Sequence, residues 1–124
     1  MDNTMKIVIA DDSRVMRQIV LRTLRQAGFS DHEYVEACDG ADALDKIREH
    51  EPDLVLSDWN MPNKTGIELL RDLRSRGNAV PFGFVTSEGS QEMREIAERA
   101  GAMFVIAKPF TPESFEDALA GVLA

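Results

Sequence analysis

Cations are scarce in this sequence: 14 Lys and Arg stand against 22 Asp and Glu in 124 residues, a formal net charge of -8. Non-specific binding to nucleic acid or to an anionic membrane needs the opposite sign, so neither is expected as a partner. Cations, basic peptides and small phosphodonors remain open. Cysteine is nearly absent: Cys38 stands alone and cannot close an internal disulfide, which suits a reducing compartment. No apolar run approaches the roughly 20 residues that cross a bilayer, so membrane insertion is not expected. Met1 to Met5 is short and polar and lacks the pattern of a signal peptide, so the expected location is cytoplasmic. No repeat, low-complexity segment or linker is visible. The first apolar run is followed by acids rather than by GxGxxG or GxxxxGK[ST], which argues against dinucleotide and nucleoside triphosphate cradles.

The length fits one compact domain over residues 1–124, and at 44% hydrophobic the chain is too apolar for disorder. Short apolar runs alternate with longer amphipathic stretches. The runs are Lys6–Ala10, Tyr34–Ala37, Leu54–Ser57, Pro81–Thr86 with Gly83 inside it, and Met103–Ala107. Between them, Ser13–Ala27 places Val15, Met16, Ile19, Val20, Leu24 and Ala27 at helical spacing. Ala41–Glu49, Thr65–Arg76 and Gln91–Ala100 repeat that period, with stops expected at Gly28, Gly77 and Gly101. Thr111-Pro112-Glu113 reads as cap, first-turn proline and first-turn acid of a last helix. Five strand–helix units in strict alternation predict an α/β domain with a five-stranded parallel sheet covered by helices on both faces.

In such sheets, sites form outside the carboxyl ends of the strands. Asp11 and Asp12 follow the first run, Asp58 the third, Thr86 and Ser87 close the fourth, and Lys108 with Pro109 follows the fifth. Close carboxylates repel one another unless a cation sits among them. Oxygen donors suit a hard ion such as Mg²⁺, held by one or two carboxylates plus waters and phosphate oxygens. An aspartate beside such an ion can accept a phosphoryl group covalently. A lysine ammonium and a threonine hydroxyl can then stabilise its charge.

Each residue also has a plainer reading. One Asp after a strand is ordinarily a turn or cap residue, Asp-Asp before a helix is good capping chemistry, and a lone Lys at a strand end is ordinarily solvated. What distinguishes this chain is the joint pattern over four strand ends. His32 and His50 read as surface residues, Cys38 as a small packed residue, Arg14, Arg17, Arg22 and Arg25 as the solvated face of the first helix, and the six methionines as core or loop filling.

The segments IADDSRVMR, ACDGADAL, LVLSDWNMPNKTGIELL, FVTSE and AKPFT resemble the receiver domains of two-component response regulators, nearest the stand-alone chemotaxis members. The resemblance covers essentially the whole chain. It implies a flavodoxin-like (βα)5 fold with strand order 2-1-3-4-5. It implies Asp58 as phosphoacceptor and Mg²⁺ held by Asp11, Asp12, Asp58 and the backbone carbonyl of Asn60. Thr86 would relay the switch and Lys108 would pair with the phosphoryl group. Asn60, Ser87 and Glu88 would tune its lifetime, and a cis Lys108–Pro109 bond would aim the lysine. It further implies a histidine kinase as phosphodonor, a possible phosphatase, and a target docking on the fourth helix, fifth strand and fifth helix. No effector domain is expected, so output would be protein–protein contact, in chemotaxis or a related pathway.

Two departures from the family pattern stand out. Receivers commonly carry Tyr or Phe three residues before the lysine, and here that residue is Val105. Phe104 is adjacent, but one residue along a strand points to the opposite face. Gln91 and Ala118 stand where chemotaxis members typically carry lysines. The chemistry is thus expected intact and the readout face altered. The alternatives are an aspartate-nucleophile phosphatase of haloacid-dehalogenase type and an adaptor receiver that needs no phosphate. The first would use a DxD pair on one strand, whereas Asp11 and Asp12 are adjacent; the full set of Asp11, Asp12, Asp58, Thr86 and Lys108 argues against the second.

Overall fold

The computed structural model describes residues 4–123. The elements alternate as predicted: β1 (Lys6–Ala10), α1 (Arg14–Gln26), β2 (Glu33–Ala37), α2 (Gly40–His50), β3 (Leu54–Ser57), α3 (Gly66–Ser75), β4 (Phe82–Thr86), α4 (Gln91–Ala100), β5 (Phe104–Ala107) and α5 (Pro112–Leu123). All four strand pairings are parallel, and the sheet runs β2-β1-β3-β4-β5. β3 and β4 are buried along their whole length, whereas the edge strands β2 and β5 are only partly so. That is why β2 carries a weaker apolar signal than its neighbours.

Side chains alternate across the sheet and divide the core into two layers. Val8, Ala10, Val55, Phe82 and Phe84 face α2, α3 and α4, where Ala43, Ile47, Leu69, Leu70, Leu73 and Ala97 meet them. Ile7, Ile9, Leu54, Leu56 and Val85 face α1 and α5 and close on Leu24, Phe115 and Leu119. The helices start where their caps dictate: Ser13, Asp39, Thr65 and Ser90 each accept a first-turn backbone N–H, and Thr65 with Glu68 forms a full capping box. The expected stops Gly28, Gly77 and Gly101 all take positive φ, +100, +77 and +103°.

Several expectations are corrected. Val15 is 70% exposed and Ile19 37%. They stand one turn apart on a ridge that continues to exposed Arg22, while the buried ridge of α1 is Val20, Leu21 and Leu24. The apolar stripe read from the sequence was therefore wider than the face the sheet can cover. Met103 lies before β5 rather than in it and is likewise exposed. Cys38 is exposed, not packed. It follows edge strand β2, and its backbone N–H donates to Asp42 Oδ2 at 3.0 Å. Arg14, Arg22 and Arg25 are solvated, but Arg17 is not: its side chain is 13% exposed and ion-paired to Glu36 at 2.9 Å.

Phe104 and Val105 lie on opposite faces, as their adjacency in a strand requires. Val105 packs with the α2–α3–α4 layer and Phe104 with the α1–α5 layer. Gly83, paired with Phe104 across the ladder, has no side chain because the Phe104 ring occupies the space a Cβ would need.

Gly66 governs the approach of α3 to the end of β3. Its N–H donates to the Trp59 carbonyl at 2.8 Å, and a Cβ there would overlap the Asp58 carbonyl oxygen. Because that obstacle is backbone, it cannot swing aside. Gly66→Ala is expected to lower stability by about 1–3 kcal/mol through overpacking. A urea midpoint equal to the parent's would show that the loop has slack here.

Candidate functional site

The carboxyl ends of the central strands converge on one rim. β1 and β3 are neighbours, so the residues following them lie side by side. Asp11 N–H continues the ladder to the Ala37 carbonyl at 3.1 Å, and Asp58 N–H continues it to the Ala10 carbonyl at 2.9 Å. Both acids are thereby fixed by sheet hydrogen bonds beyond the strand ends. Asp11, Asp12 and Asp58 each place a carboxylate oxygen within 4.8 Å of the others'. Asp11 is buried, Asp58 half-buried and Asp12 exposed, so the cluster is open on one side.

Each carboxylate has its own restraint. Asp11 Oδ1 accepts the Ser13 N–H at 2.8 Å, and its Oδ2 accepts Lys108 Nζ at 3.2 Å. Asp58 Oδ1 accepts the Trp59 N–H at 2.7 Å, and its Oδ2 lies 3.6 Å from Lys108 Nζ. The latter distance is an ion pair rather than a hydrogen bond. Thr86, at the end of β4, is fully buried, and its hydroxyl accepts the Glu88 N–H at 3.3 Å. The Thr86 carbonyl accepts the Lys108 N–H at 2.8 Å, joining the hydroxyl and ammonium positions through backbone. The Lys108–Pro109 bond is cis, as expected. Across the rim, Asn60 Nδ2 donates to Glu88 Oε1 at 3.0 Å, so the loops after β3 and β4 touch, while Ser87 is exposed beside them.

Burial raises the Asp58 carboxyl above the ordinary aspartate value; Lys108 works against that rise, Asp11 adds to it, and the Trp59 N–H and Thr86 hydroxyl pull it down. The rise is thus chiefly the cost of burying this carboxylate, while three carboxylates stand beside one lysine. All-oxygen donors and three carboxylates within one ion's reach fit a hard divalent cation. The histidines stay outside: His32 Nδ1 accepts the Met5 N–H at 2.9 Å, near the opposite ends of the strands.

The structure brings together every predicted carboxylate with Lys108 and Thr86, and places Asn60, Ser87 and Glu88 over them. Val105 is not at the rim but within the α4-side layer. One supporting residue escaped the sequence reading. Arg17 Nη1 donates to the Asp11 carbonyl at 2.7 Å, clamping the turn that carries the acids. Its place on the same turn as Met16, at the edge of the apolar stripe, was the available signal.

The sequence matches the family described as "Response regulator receiver domain" over residues 7–120. It is 37% identical over 121 residues to the chemotaxis protein CheY-3 of Vibrio cholerae, covering 96% of this chain and 92% of that one. It is 35% identical over 122 residues to the chemotaxis protein CheY1 of Helicobacter pylori, covering 96% and 97%. Among solved structures, the chemotaxis response regulator CheY4 of Vibrio cholerae superposes with a TM-score of 0.83 at 34% identity, covering 96% of this chain and 98% of that one. The receiver domain of the Francisella response regulator 1452 gives 0.85 at 25% identity, with 97% of both chains covered.

The Asp58 shift has a direct consequence for stability. Its folded form favours the proton more than its unfolded form does. Stability is therefore lost as pH rises from the ordinary aspartate value of 3.8 through the higher folded value. With chelator present, Asp58→Asn should raise Tm at pH 7. The gain should fade as pH falls below the ordinary aspartate range. A gain independent of pH, or a loss at pH 7, would count against this origin of the shift.

Proposed function

Because the chain belongs to the response regulator receiver family, we propose that it works as a phosphorylation-driven signalling switch with Asp58 as its acceptor. The observation that carries this reading is the convergence of Asp11, Asp12 and Asp58 around one ammonium, with Lys108 Nζ at 3.2 Å from Asp11 and 3.6 Å from Asp58. In the reaction, an Asp58 carboxylate oxygen forms a bond to phosphorus. The bond from phosphorus to the donor breaks, to the imidazole nitrogen of a phosphohistidine or to the carboxylate oxygen of acetyl phosphate. The leaving group departs with that electron pair.

Asp11, Asp12, Asp58 and the Asn60 carbonyl would hold Mg²⁺, which when bound offsets charge on the transferring group. Lys108 leaves its ion pair with Asp58 to meet the new phosphoryl oxygens, staying beside Asp11. Thr86 offers its hydroxyl from a fully buried position. Asn60 and Glu88, already joined at 3.0 Å, sit where water would enter and set how long the acyl phosphate survives. We assign a histidine kinase as donor, with a phosphatase as a possible second partner.

Output would pass through the face made by α4, β5 and α5, with residues 1–124 acting as one receiver unit. That face holds a cavity of about 300 Å³ lined by Arg94, Ala97, Met103 and Val105 among others. The relatives named as chemotaxis proteins support a chemotaxis pathway. Val105, Gln91 and Ala118 alter the face, so the target would be recognised differently from the family pattern. Among the described residues no helix is long and apolar enough to cross a membrane, and the charge of -8 disfavours nucleic acid.

Trp59 supplies the assay, since it adjoins Asp58 and packs tilted against Phe84 with ring centroids 4.8 Å apart. Mg²⁺ should quench its fluorescence, and Asp12→Ala should weaken Mg²⁺ binding at least about tenfold. Acetyl phosphate with Mg²⁺ should label the wild type, and Asp58→Asn should abolish the label. Identical titrations for Asp12→Ala and wild type, or persistent labelling of Asp58→Asn, would refute the assignment.

A further inference from the structure

The loop that follows Thr86 is tied to the last strand by an arginine. Arg94, on α4, donates Nε to the Gly89 carbonyl at 3.2 Å and Nη1 to the Val105 carbonyl at 2.9 Å. Both acceptors are uncharged backbone groups, and among the described residues Arg94 makes no ion pair with a carboxylate. The planar fork of a guanidinium suits this double grip, which a lysine could not reproduce. The loop itself lies close against β5: a Cβ on Gly89 would stand 3.2 Å from the Ala107 Cβ and 3.4 Å from Arg94 Nη2.

These bonds complete a closed circuit. Thr86 leads through Ser87 and Glu88 to Gly89. Arg94 carries the connection to Val105, and the β4–β5 ladder returns it, pairing Phe84 with Val105 and Thr86 with Ala107. Lys108 N–H on the Thr86 carbonyl at 2.8 Å locks the far corner. Three sides of the circuit are sheet or helix, and only the loop can move. Of the two Arg94 bonds only that to Gly89 ends on the loop, and it is longer by 0.3 Å (3.2 against 2.9 Å), hence the weaker.

At rest the Thr86 hydroxyl accepts the Glu88 N–H. A phosphoryl group on Asp58 would bring three strong acceptor oxygens to that corner and compete for both the hydroxyl and the loop amides. We propose that Arg94 is a positioning residue that holds the Ser87–Gly89 loop in its resting conformation. Phosphoryl uptake breaks its bond to Gly89, and the released guanidinium remodels the α4–β5 cavity it lines. This rests on the phosphoreceiver reading above. It gives the switch a connection from the acceptor to β5 through a helix side chain contacting backbone, at the strand position where Val105 is too short to sweep.

The test uses the full chain with acetyl phosphate and Mg²⁺, read by Trp59 fluorescence, for wild type, Arg94→Ala and Arg94→Lys. Loss of the clasp should speed phosphorylation roughly three- to tenfold in both variants, as removing modest hydrogen bonds from the resting state alone would. Mg²⁺ affinity should stay within about twofold, since the carboxylates are untouched. Amide hydrogen exchange over residues 87–90 of unphosphorylated Arg94→Ala should match that of the wild type with beryllofluoride. Wild-type rates in both variants would overturn the clasp while leaving the receiver reading intact, whereas a wild type that takes no label on Asp58 would overturn both. Should Arg94→Ala not fold, the wild type decides. Faster exchange at residues 87–90 on adding beryllofluoride supports release, and unchanged exchange overturns it.

Discussion

Two buried or half-buried carboxylates from neighbouring strands share one ammonium supplied from a distant point in the sequence. Asp11 and Lys108 are separated by 97 positions in sequence and 3.2 Å in space. Like charges so close cannot both stay ionised at low cost without a cation, and Lys108 supplies only one positive charge for Asp11 and Asp58. Much of the architecture serves to hold that imbalance. The ladder bonds at Asp11 and Asp58, the Arg17 clamp on the Asp11 carbonyl and the Lys108 N–H on Thr86 all fix backbone, so the charged groups cannot relax apart. The rise of the Asp58 carboxyl comes mainly from its burial, with Asp11 adding to it and Lys108 opposing it.

The sheet topology explains why these groups meet at all. In the order β2-β1-β3-β4-β5, β1 and β3 lie side by side although α1, β2 and α2 separate them in the chain. The chain reverses its winding direction there, which opens a crevice at the strand ends. Asp11 and Asp58 line that crevice, while Thr86 and Lys108 arrive from the next strands on one side. Gly66 completes the arrangement by letting α3 begin against the Asp58 carbonyl.

The other end of the machinery is built differently. Phe104 is committed to the α1–α5 layer, where Gly83 makes room for its ring. That commitment leaves Val105 as the side chain on the α4 side of β5, with little volume to move. An arginine on α4 makes contact with the backbone at that point. The loop after Thr86 and strand β5 are therefore joined through hydrogen bonds rather than through an aromatic side chain.

Much of this protein could be read from its residues alone. Apolar runs and helical periods located all ten elements, caps and glycines set most boundaries, and the acids, threonine and lysine at the strand ends marked the site. These signals are local, so sequence carries them. Which apolar residues are covered depends instead on how far a neighbouring layer extends. The sheet left Val15 and Ile19 of α1 outside, and an edge position exposed Cys38. Likewise, an arginine's partner is decided by whichever backbone carbonyls the fold carries within its reach. Arg17 on the Asp11 carbonyl and Arg94 on Gly89 and Val105 follow from tertiary placement, because a long, flexible cation carries no positional information until the strands around it are in register.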